Sequence, residues 1–335
     1  MGIDEVIRLT LSMGLPCCLL ALGVFLTFRI LDFADMTAEG SLLIGGAACA
    51  LMITQNVPPL IATFIGMLAG GVCGFITGFL NRILKIPKLL SGIITMTAAG
   101  SIALLLFGLA NGRIFASEIN GIDNSKTIFG FLDPAIFHGW QQIIVVAVIV
   151  AVVLGVAYFF FGTEYGMAIR ATGINEKMAK SQGINTTVTT IICVSISNAL
   201  IGLAGALIAQ IDSGINAQGA TGYLVVGLAS ILIGETVFGK RSFKNVLISI
   251  SLGAILYFTI ISLATQVFKM PTDLTKLLYA FLITLALCLP MIKKGLTKLW
   301  AKISPSIIKF FKKIFKPIGK FFKNLFVRKK KKEAE

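Results

Sequence analysis

The chain contains repeated runs of about twenty apolar residues, and these runs limit its possible folds more than any other feature. A helix of that length crosses the roughly 30 Å of hydrocarbon in a bilayer. Only 13% of the residues are charged and the mean hydropathy is +0.91, whereas soluble domains carry about 25% charged residues. The sequence therefore predicts an all-α polytopic membrane protein. It excludes a soluble enzyme, a disordered chain and a soluble secreted product.

Lysine and arginine residues indicate how the helices are oriented. They concentrate in segments 81–88, 162–187 and 240–244 and after residue 291. These four regions alternate correctly if all of them face the cytoplasm. We expect a multi-pass protein of the plasma membrane, with its N-terminus outside and its C-terminus inside. About nine transmembrane helices are predicted, at residues 6–28, 40–54, 58–80, 89–110, 139–161, 188–210, 223–239, 245–268 and 276–292.

Two of the predicted spans are short, and each follows a polar segment that contains glycine, at residues 32–41 and 210–222. The two segments occupy matching places in two sets of four spans, and span 139–161 separates the sets. This pattern indicates an inverted repeat of four plus four helices around a central helix. Chance resemblance between apolar segments is the alternative.

The polar residues of these two segments are candidates for lining a solute path. Irregular backbone within a membrane is tolerated only inside protein or along a wet cavity, and charged residues there often mark pathways. The candidate path residues are Asp35, Thr37, Glu39, Gly40, Ser41, Asn216, Gln218, Gly219, Thr221 and Gly222.

The span at 58–80 carries glycine at every fourth position, at Gly66, Gly70, Gly74 and Gly78. Residues four apart share one helix face, so these glycines form a ridge without side chains. Such ridges let helices approach each other closely in lipid. The ridge is either a tight static contact or a moving one.

The cytoplasmic segment 164–184 contains more small residues than an ordinary tether. Its glycines flank a short helix predicted at Asn175–Ser181. Glu176 and Lys180 are four residues apart there, which favours an ion pair on one helix face. A short helix parallel to the membrane would suit docking into a groove of another protein.

This segment also resembles a known family. The spacing G-x-x-x-R-A-x-G-x-N-x-x-x-A-x-x-x-G-I, from Gly166 to Ile184, is similar to the ATPase-contacting loop of the permease family of ABC importers for branched-chain amino acids and ribose. Asp35–Ser41 and 219–234 resemble two further elements of that family. Phe28–Phe33, and Lys85–Pro87 with Met96 and Thr97, resemble its branch for tryptophan or tyrosine import. The resemblance covers about residues 6–292.

The resemblance implies the membrane-spanning permease subunit of an ATP-driven importer, with an amino acid, aromatic ones included, as the solute. It implies cytoplasmic ATPase subunits that hold ATP and Mg²⁺, an extracellular substrate-binding protein that delivers the solute, and a second permease subunit in a homodimer. The chain itself would hold no cofactor. The implied ATPase-coupling residues are Gly166, Arg170, Ala171, Gly173, Asn175, Ala179 and Gly183.

An ion-coupled secondary transporter with inverted repeats is the alternative function. It would need a buried carboxylate at the membrane midplane, but Asp35, Glu39, Asp212 and Glu235 are all expected near the edges. No catalytic or metal-binding residues are predicted. The stretch 234–241 fits G-x-x-x-x-G-K but ends in arginine, where serine or threonine should bind Mg²⁺.

The C-terminal segment differs in composition from the rest of the chain. Residues 291–335 hold 15 of the 30 Lys and Arg residues and only two acids, so +13 of the net charge of +15 lies there. Apolar residues from Ile307 to Phe326 recur at helical spacing between lysines, a pattern typical of helices that lie on anionic lipid. A nucleic-acid partner is not needed to explain this charge. The sequence therefore predicts a permease domain at 1–292 and a basic amphipathic tail at 293–335.

Overall fold

The computed structural model describes residues 3–109, 127–131, 140–212, 222–239 and 242–267, together with 277–278, 280–282, 284–285 and 288. Within these residues there are no strands, and the α-helices form one sequence of ten elements. A π-helical turn, Leu26–Ile30, extends α1, and another, Leu263–Val267, extends α10. The helices are α1 Ile3–Phe25, α2 Thr37–Thr54, α3 Pro59–Arg82, α4 Lys88–Leu109, α5 Gln141–Gly162, α6 Glu164–Ile174, α7 Glu176–Ser181, α8 Thr186–Ile211, α9 Tyr223–Phe238 and α10 Phe243–Ser262.

Seven helices of the described part are long and apolar enough to cross a membrane, namely α1 to α5, α8 and α10. They confirm seven of the predicted spans to within a few residues. The predicted span at 223–239 is the shorter apolar helix α9. The predicted last span, 276–292, falls largely outside the described residues, and the tail at 293–335 lies wholly outside them. The chain divides into units 1–284 and 285–335, and all ten helices belong to the first unit.

Two long helices, α1 and α8, form the centre of the first unit. They run antiparallel, because the Ser197 hydroxyl donates to the Gly23 carbonyl while the Cys193 thiol, about one turn earlier in α8, donates to the Leu26 carbonyl. Helices α2 and α3 pack on α8, whereas α9 and α10 pack on α1. Helices α4 and α5 lie outside this core and leave most of their side chains on the apolar surface.

The glycine ridge of α3 makes the close helix contact that its spacing predicted, and the partner is α8. A Cβ atom on Gly70 or Gly74 would overlap the backbone carbonyl of Asn198 or Val194. Only glycine therefore permits α3 and α8 to approach this closely. The contact holds the two helices side by side over most of their length.

Candidate functional site

The ends of five helices lie at one end of the bundle, which we call the coupling end. Arg29, at the end of the first π-helical turn, makes a bidentate ion pair with Glu235 of α9, with N···O distances of 2.8 and 3.1 Å. The Lys88 ammonium of α4 donates to the Asp32 carbonyl at 2.8 Å. The Arg170 guanidinium of α6 lies 5.5 Å from the ring centre of Phe243 at the start of α10. These contacts tie the ends of α1, α4, α6, α9 and α10 together.

Helices α6 and α7 belong to the coupling end and connect α5 to α8 along the chain. Each begins at a side chain that caps its first turn: the Thr163 hydroxyl accepts from the Gly166 N–H, and the Asn175 carboxamide accepts from the Met178 N–H. Helix α7 ends at Ser181, and Gly183, whose φ of +83° suits glycine, lets the Ile184 N–H reach the Ala179 carbonyl. The predicted short helix at Asn175–Ser181 is confirmed, and a second helix precedes it.

Three small residues of this segment, Gly166, Gly173 and Ala179, face the permease, whereas Gly183 is exposed. A Cβ atom on Gly173 would overlap the Ile30 carbonyl, and one on Gly166 would overlap Phe160 and Phe161. Ala179 is 3% exposed. The large apolar residues that face outward are Ile174, Tyr165, Met178 and Met167, at 86%, 66%, 62% and 51% exposure. The three small residues therefore let the segment sit close to the bundle, and large apolar side chains remain exposed.

Glu176 anchors α7 to the rest of the bundle. Its Oε1 lies 2.7 Å from the Arg82 guanidinium of α3 and 3.0 Å from the Lys180 ammonium, and it accepts from the Thr186 hydroxyl at 3.3 Å. The Glu176–Lys180 pair was predicted, whereas Arg82 was not. The hydrogen bond from Lys180, with that from Arg82, lowers the pKa of Glu176 from 4.5 to about 2, so the side chain is ionised at neutral pH.

A cleft of about 580 Å³ lies beside this segment, between α6 and the first half of α8. Most of its lining is apolar, and its larger members are Tyr165, Met167, Ile169, Ile184, Val188 and Ile192. The cleft adds to the apolar surface that Ile174 and Met178 present at the same end.

The N-terminal turn of α2 contains a buried polar cluster. The Asp35 carboxylate accepts from the Thr37 N–H at 2.8 Å and from the Asn198 side-chain amide of α8 at 2.6 Å. The Ser41 hydroxyl donates to the carbonyl oxygen of the same amide at 2.7 Å. The Thr37 hydroxyl lies 2.7 Å from that of Thr77 in α3. All five side chains are at most 1% exposed, so the polar groups satisfy one another without water.

Asp35 is buried within the bundle, and its expected position near a membrane edge stays a prediction. Its partner Asn198 sits midway along the 26-residue helix α8, about 18 Å from either end. The irregular backbone before α2 is also shorter than expected, because the helix already begins at Thr37.

The N-terminus of α9 lies next to that of α2. Gly222 precedes α9 with a φ of +107°, and its N–H donates to the Glu39 carboxylate at 2.8 Å. Glu39 and Gly222 are each half-buried, and they join the two short helices that follow the two predicted polar segments. Gly40 packs against Met96 and Ala99 of α4.

Of the path candidates in the first segment, only Glu39 contacts Gly222, whereas Asp35, Thr37 and Ser41 are buried against α3 and α8 and Gly40 is buried against α4. The remaining candidates, Asn216, Gln218, Gly219 and Thr221, lie outside the described residues. Whether the set lines a solute path stays a prediction. The sequence interpretation missed Asn198, although an asparagine in the middle of an apolar span is a signal in itself, because it needs a buried hydrogen-bond partner.

Comparisons with known proteins point to one family. The model of the family described as "Branched-chain amino acid transport system / permease component" matches residues 6–287. A tyrosine transport system permease protein of Clostridioides difficile is 34% identical over 89% of this chain and 95% of its own length. A branched-chain amino acid transport permease protein of Methanocaldococcus jannaschii is 30% identical over 69% of this chain and 72% of its own length.

A third relative is more distant, a ribose import permease protein of Escherichia coli that is 27% identical over 64% of this chain and 65% of its own length. No solved structure matches the chain. The family model covers most of the chain, including the coupling end and the N-termini of both short helices. This chain therefore belongs to the branched-chain amino acid transport permease family, whose members are plasma-membrane permease subunits of ABC importers and are transport components, not enzymes.

Proposed function

We propose that this permease imports an amino acid and that aromatic amino acids are its preferred solutes. The observation that carries this proposal is the similarity to a tyrosine transport system permease protein over 95% of that protein's length. The relatives whose names specify ribose are matched over a smaller share of their own length.

The solute can be tested through ATP hydrolysis by the assembled complex. We expect its substrate-binding protein, loaded with L-tyrosine or L-tryptophan, to stimulate hydrolysis more than the same protein mixed with L-leucine or D-ribose. Equal stimulation by all four compounds, or stimulation by D-ribose alone, would contradict an aromatic solute.

In the proposed topology the chain crosses the membrane nine times, with the N-terminus outside and the coupling end in the cytoplasm. The contacts of the described helices support the alternation. Arg29, Arg82, Lys88 and Arg170 all take part in contacts at the coupling end, and this excess of basic residues fits a cytoplasmic face. A cysteine at Gln182 should react with impermeant thiol reagents only from the inside, and one at Gln55 only from the outside.

An inverted repeat of four plus four helices around α5 fits the way the described helices pack. In the first half, the short helix α2 packs on α8 and on α3. In the second half, the short helix α9 packs on α1 and on α10. Each short helix thus packs on the long central helix of the other half, as two halves related by a twofold axis would.

Helices α6 and α7 form the docking element for the cytoplasmic ATPase, which would hold the ATP and Mg²⁺ while this chain binds no cofactor. Ile174 and Met178 would enter the ATPase, because they are large exposed apolar side chains near the junction of α6 and α7, whereas the exposed Tyr165 and Met167 line the cleft. Gly166, Gly173 and Ala179 would serve by letting the segment sit close to the bundle, and Arg170 by joining α6 to the Phe161 carbonyl and to Phe243.

The solute path runs past the N-termini of α2 and α9. The Glu39–Gly222 hydrogen bond supports this placement, because it brings the two short helices together beside half-buried polar groups. A cysteine at Glu39 or Thr221 should react with water-soluble thiol reagents at a rate that depends on bound nucleotide. Unreactive cysteines in every nucleotide state would move these segments to static packing.

Two further parts of the assembly complete the proposal. A second, identical permease subunit forms a homodimer with the first, which cross-linking of the complex in the membrane can test. The basic tail at 293–335 follows the permease domain at 1–292 and binds anionic lipids of the inner leaflet, as its interleaved lysines and apolar residues favour.

A further inference from the structure

A single amide on α8 holds the first turn of α2. The Asn198 carboxamide accepts from the Ser41 hydroxyl through its oxygen, at 2.7 Å, and donates to the Asp35 carboxylate through its nitrogen, at 2.6 Å. The other Asp35 oxygen accepts from the Thr37 N–H, so the carboxylate joins the side chain of α8 to the backbone of α2. The two orientations of the Asn198 amide are therefore not equivalent. Only the orientation with the oxygen at Ser41 and the nitrogen at Asp35 satisfies Ser41, Asp35 and the Thr37 N–H together.

This contact is costly to open. Asp35, Ser41 and Asn198 are each at most 1% exposed, so water cannot replace the hydrogen bonds that separation would break. The backbones are also close on this face, since a Cβ atom on Gly45 would overlap the Gly202 carbonyl. The first turn of α2 therefore has to travel with α8.

The coupling segment, by which we mean helices α6 and α7, directly precedes the N-terminus of the same helix, α8. Thr186, in the first turn of α8, donates to Glu176 of α7 at 3.3 Å. Thr186 and Asn198 are twelve residues apart on one helix, about 18 Å along its axis. A displacement of α7 thus reaches the N-terminus of α2 through one rigid element.

We propose that Asn198 is a positioning residue for transport, which through Asp35 and Ser41 makes the N-terminal turn of α2 follow α8 when the ATPase moves the coupling segment. The proposal rests on the docking of the ATPase at α6 and α7. Because Glu39 of α2 accepts from the Gly222 N–H, the displacement extends to the N-terminus of α9. Neither the family match nor the relatives' names assign a role to this asparagine.

Exchanging the carboxylate of Asp35 and the amide of Asn198 tests the contact. Asp35→Asn places an amide against the amide of Asn198, and Asn198→Asp places two carboxylates against each other. The double substitution D35N/N198D restores one carboxylate and one amide, with an oxygen still available for the Thr37 N–H. It loses the additional hydrogen bond from Asn198 to the Val194 carbonyl and places a carboxylate oxygen next to that carbonyl, so recovery is expected to be large but incomplete. Ser197→Ala is the matched control, because Ser197 is equally buried on α8 but bonds to Gly23 of α1.

The readout is the response of two distances to nucleotide in the complete complex. Spin labels at Gln182 and Thr54, both exposed, report on the coupling segment and on the far end of α2, each measured against a label at Ile260 of α10. Cys288→Ser removes the exposed native cysteine, and the other five are buried. Distances are compared between the nucleotide-free complex and the complex with vanadate-trapped ADP, so no solute is needed.

In the wild type and in Ser197→Ala both distances should change. In each single variant at position 35 or 198 the Gln182 distance should still change and the Thr54 distance should not. L-tyrosine imported per ATP should then fall about tenfold, within the roughly 5- to 150-fold range of typical coupling free energies. The double substitution should largely restore both quantities, which a merely structural loss of folded protein would not do.

Three results would overturn the proposal. A Thr54 response that survives in both single variants would remove Asn198 from the coupling, as would a folded double variant that stays uncoupled. A Gln182 distance that does not respond to nucleotide in the wild type would overturn both the docking of the ATPase and this inference. The Gln182 label therefore distinguishes a failure of the docking from a failure of this inference alone. If the single variants do not fold, Ser41→Ala takes their place, because it removes one hydrogen bond of the cluster and keeps the Asp35 contact. It should lower the coupling partially, and full coupling in it would count against the proposal.

Discussion

Replacing Ile174 with serine should weaken the binding of the ATPase to the permease without disturbing the permease itself. The side chain is 86% exposed and touches little of its own chain, so its loss costs the fold almost nothing. Burying an isoleucine side chain fully contributes about 1.5 to 3 kcal/mol. With roughly 2 kcal/mol lost on docking, the dissociation constant should rise about thirtyfold, since each 1.4 kcal/mol corresponds to a factor of ten.

The assay is equilibrium binding of the purified ATPase to the permease in nanodiscs, without solute or nucleotide. Leu60→Ser is the matched control, because Leu60 is 58% exposed at the opposite end of the bundle and should leave the dissociation constant unchanged. Unchanged affinity in Ile174→Ser would refute the docking of Ile174 in the ATPase. Equal weakening in both variants would show that the effect is not specific to the coupling end.

Three further outcomes follow from packing and charge. Gly74→Ala should lower the free energy of unfolding by about 1 to 3 kcal/mol, because the added Cβ meets α8. Gly100→Ala, with open space around the new Cβ, should not lower this free energy. The folded pKa of Glu176, about 2, lies below the ordinary 4.5, so its ion pairs stabilise the protein fully above pH 4.5 and lose this effect as the pH falls towards 2. The carboxylate is about one third exposed, so Glu176→Gln should cost only about 1 kcal/mol at pH 7 in chemical unfolding, and nothing near pH 2. Deleting residues 303–335 should weaken binding to anionic vesicles and retain solute uptake; normal insertion without uptake would give the tail a role in transport.

The hydropathy of the chain predicts the long helices because each is a continuous apolar run, such as Gln141–Gly162, whose length matches the bilayer. The spacing of glycines every fourth residue in α3 also predicts a close helix contact on one face, although it does not identify α8 as the partner. These features are local. Each can be read from about twenty consecutive residues.

The partners of the polar residues depend on contacts across the chain, and the sequence alone does not specify them. Asp35 meets Asn198 across 163 residues, and Glu176 meets Arg82 across 94. The direction in which Gly173 faces was also not predictable, because a small residue is equally compatible with contact to the permease or to a partner. The sequence pattern predicts a coupling segment at α6 and α7, but the exposed residues Ile174 and Met178 do not belong to that pattern.

The most direct test of the central claim is ATP-driven uptake by the complete complex in proteoliposomes. The permease, its ATPase and its substrate-binding protein are reconstituted, and radiolabelled L-tyrosine is added on the side of the binding protein. We predict that L-tyrosine accumulates against its gradient only when ATP and Mg²⁺ are present on the side of the ATPase, and that accumulation continues after ionophores have collapsed the Na⁺ and H⁺ gradients. Accumulation that needs an ion gradient and proceeds without ATP would contradict the assignment of this chain to an ATP-driven importer.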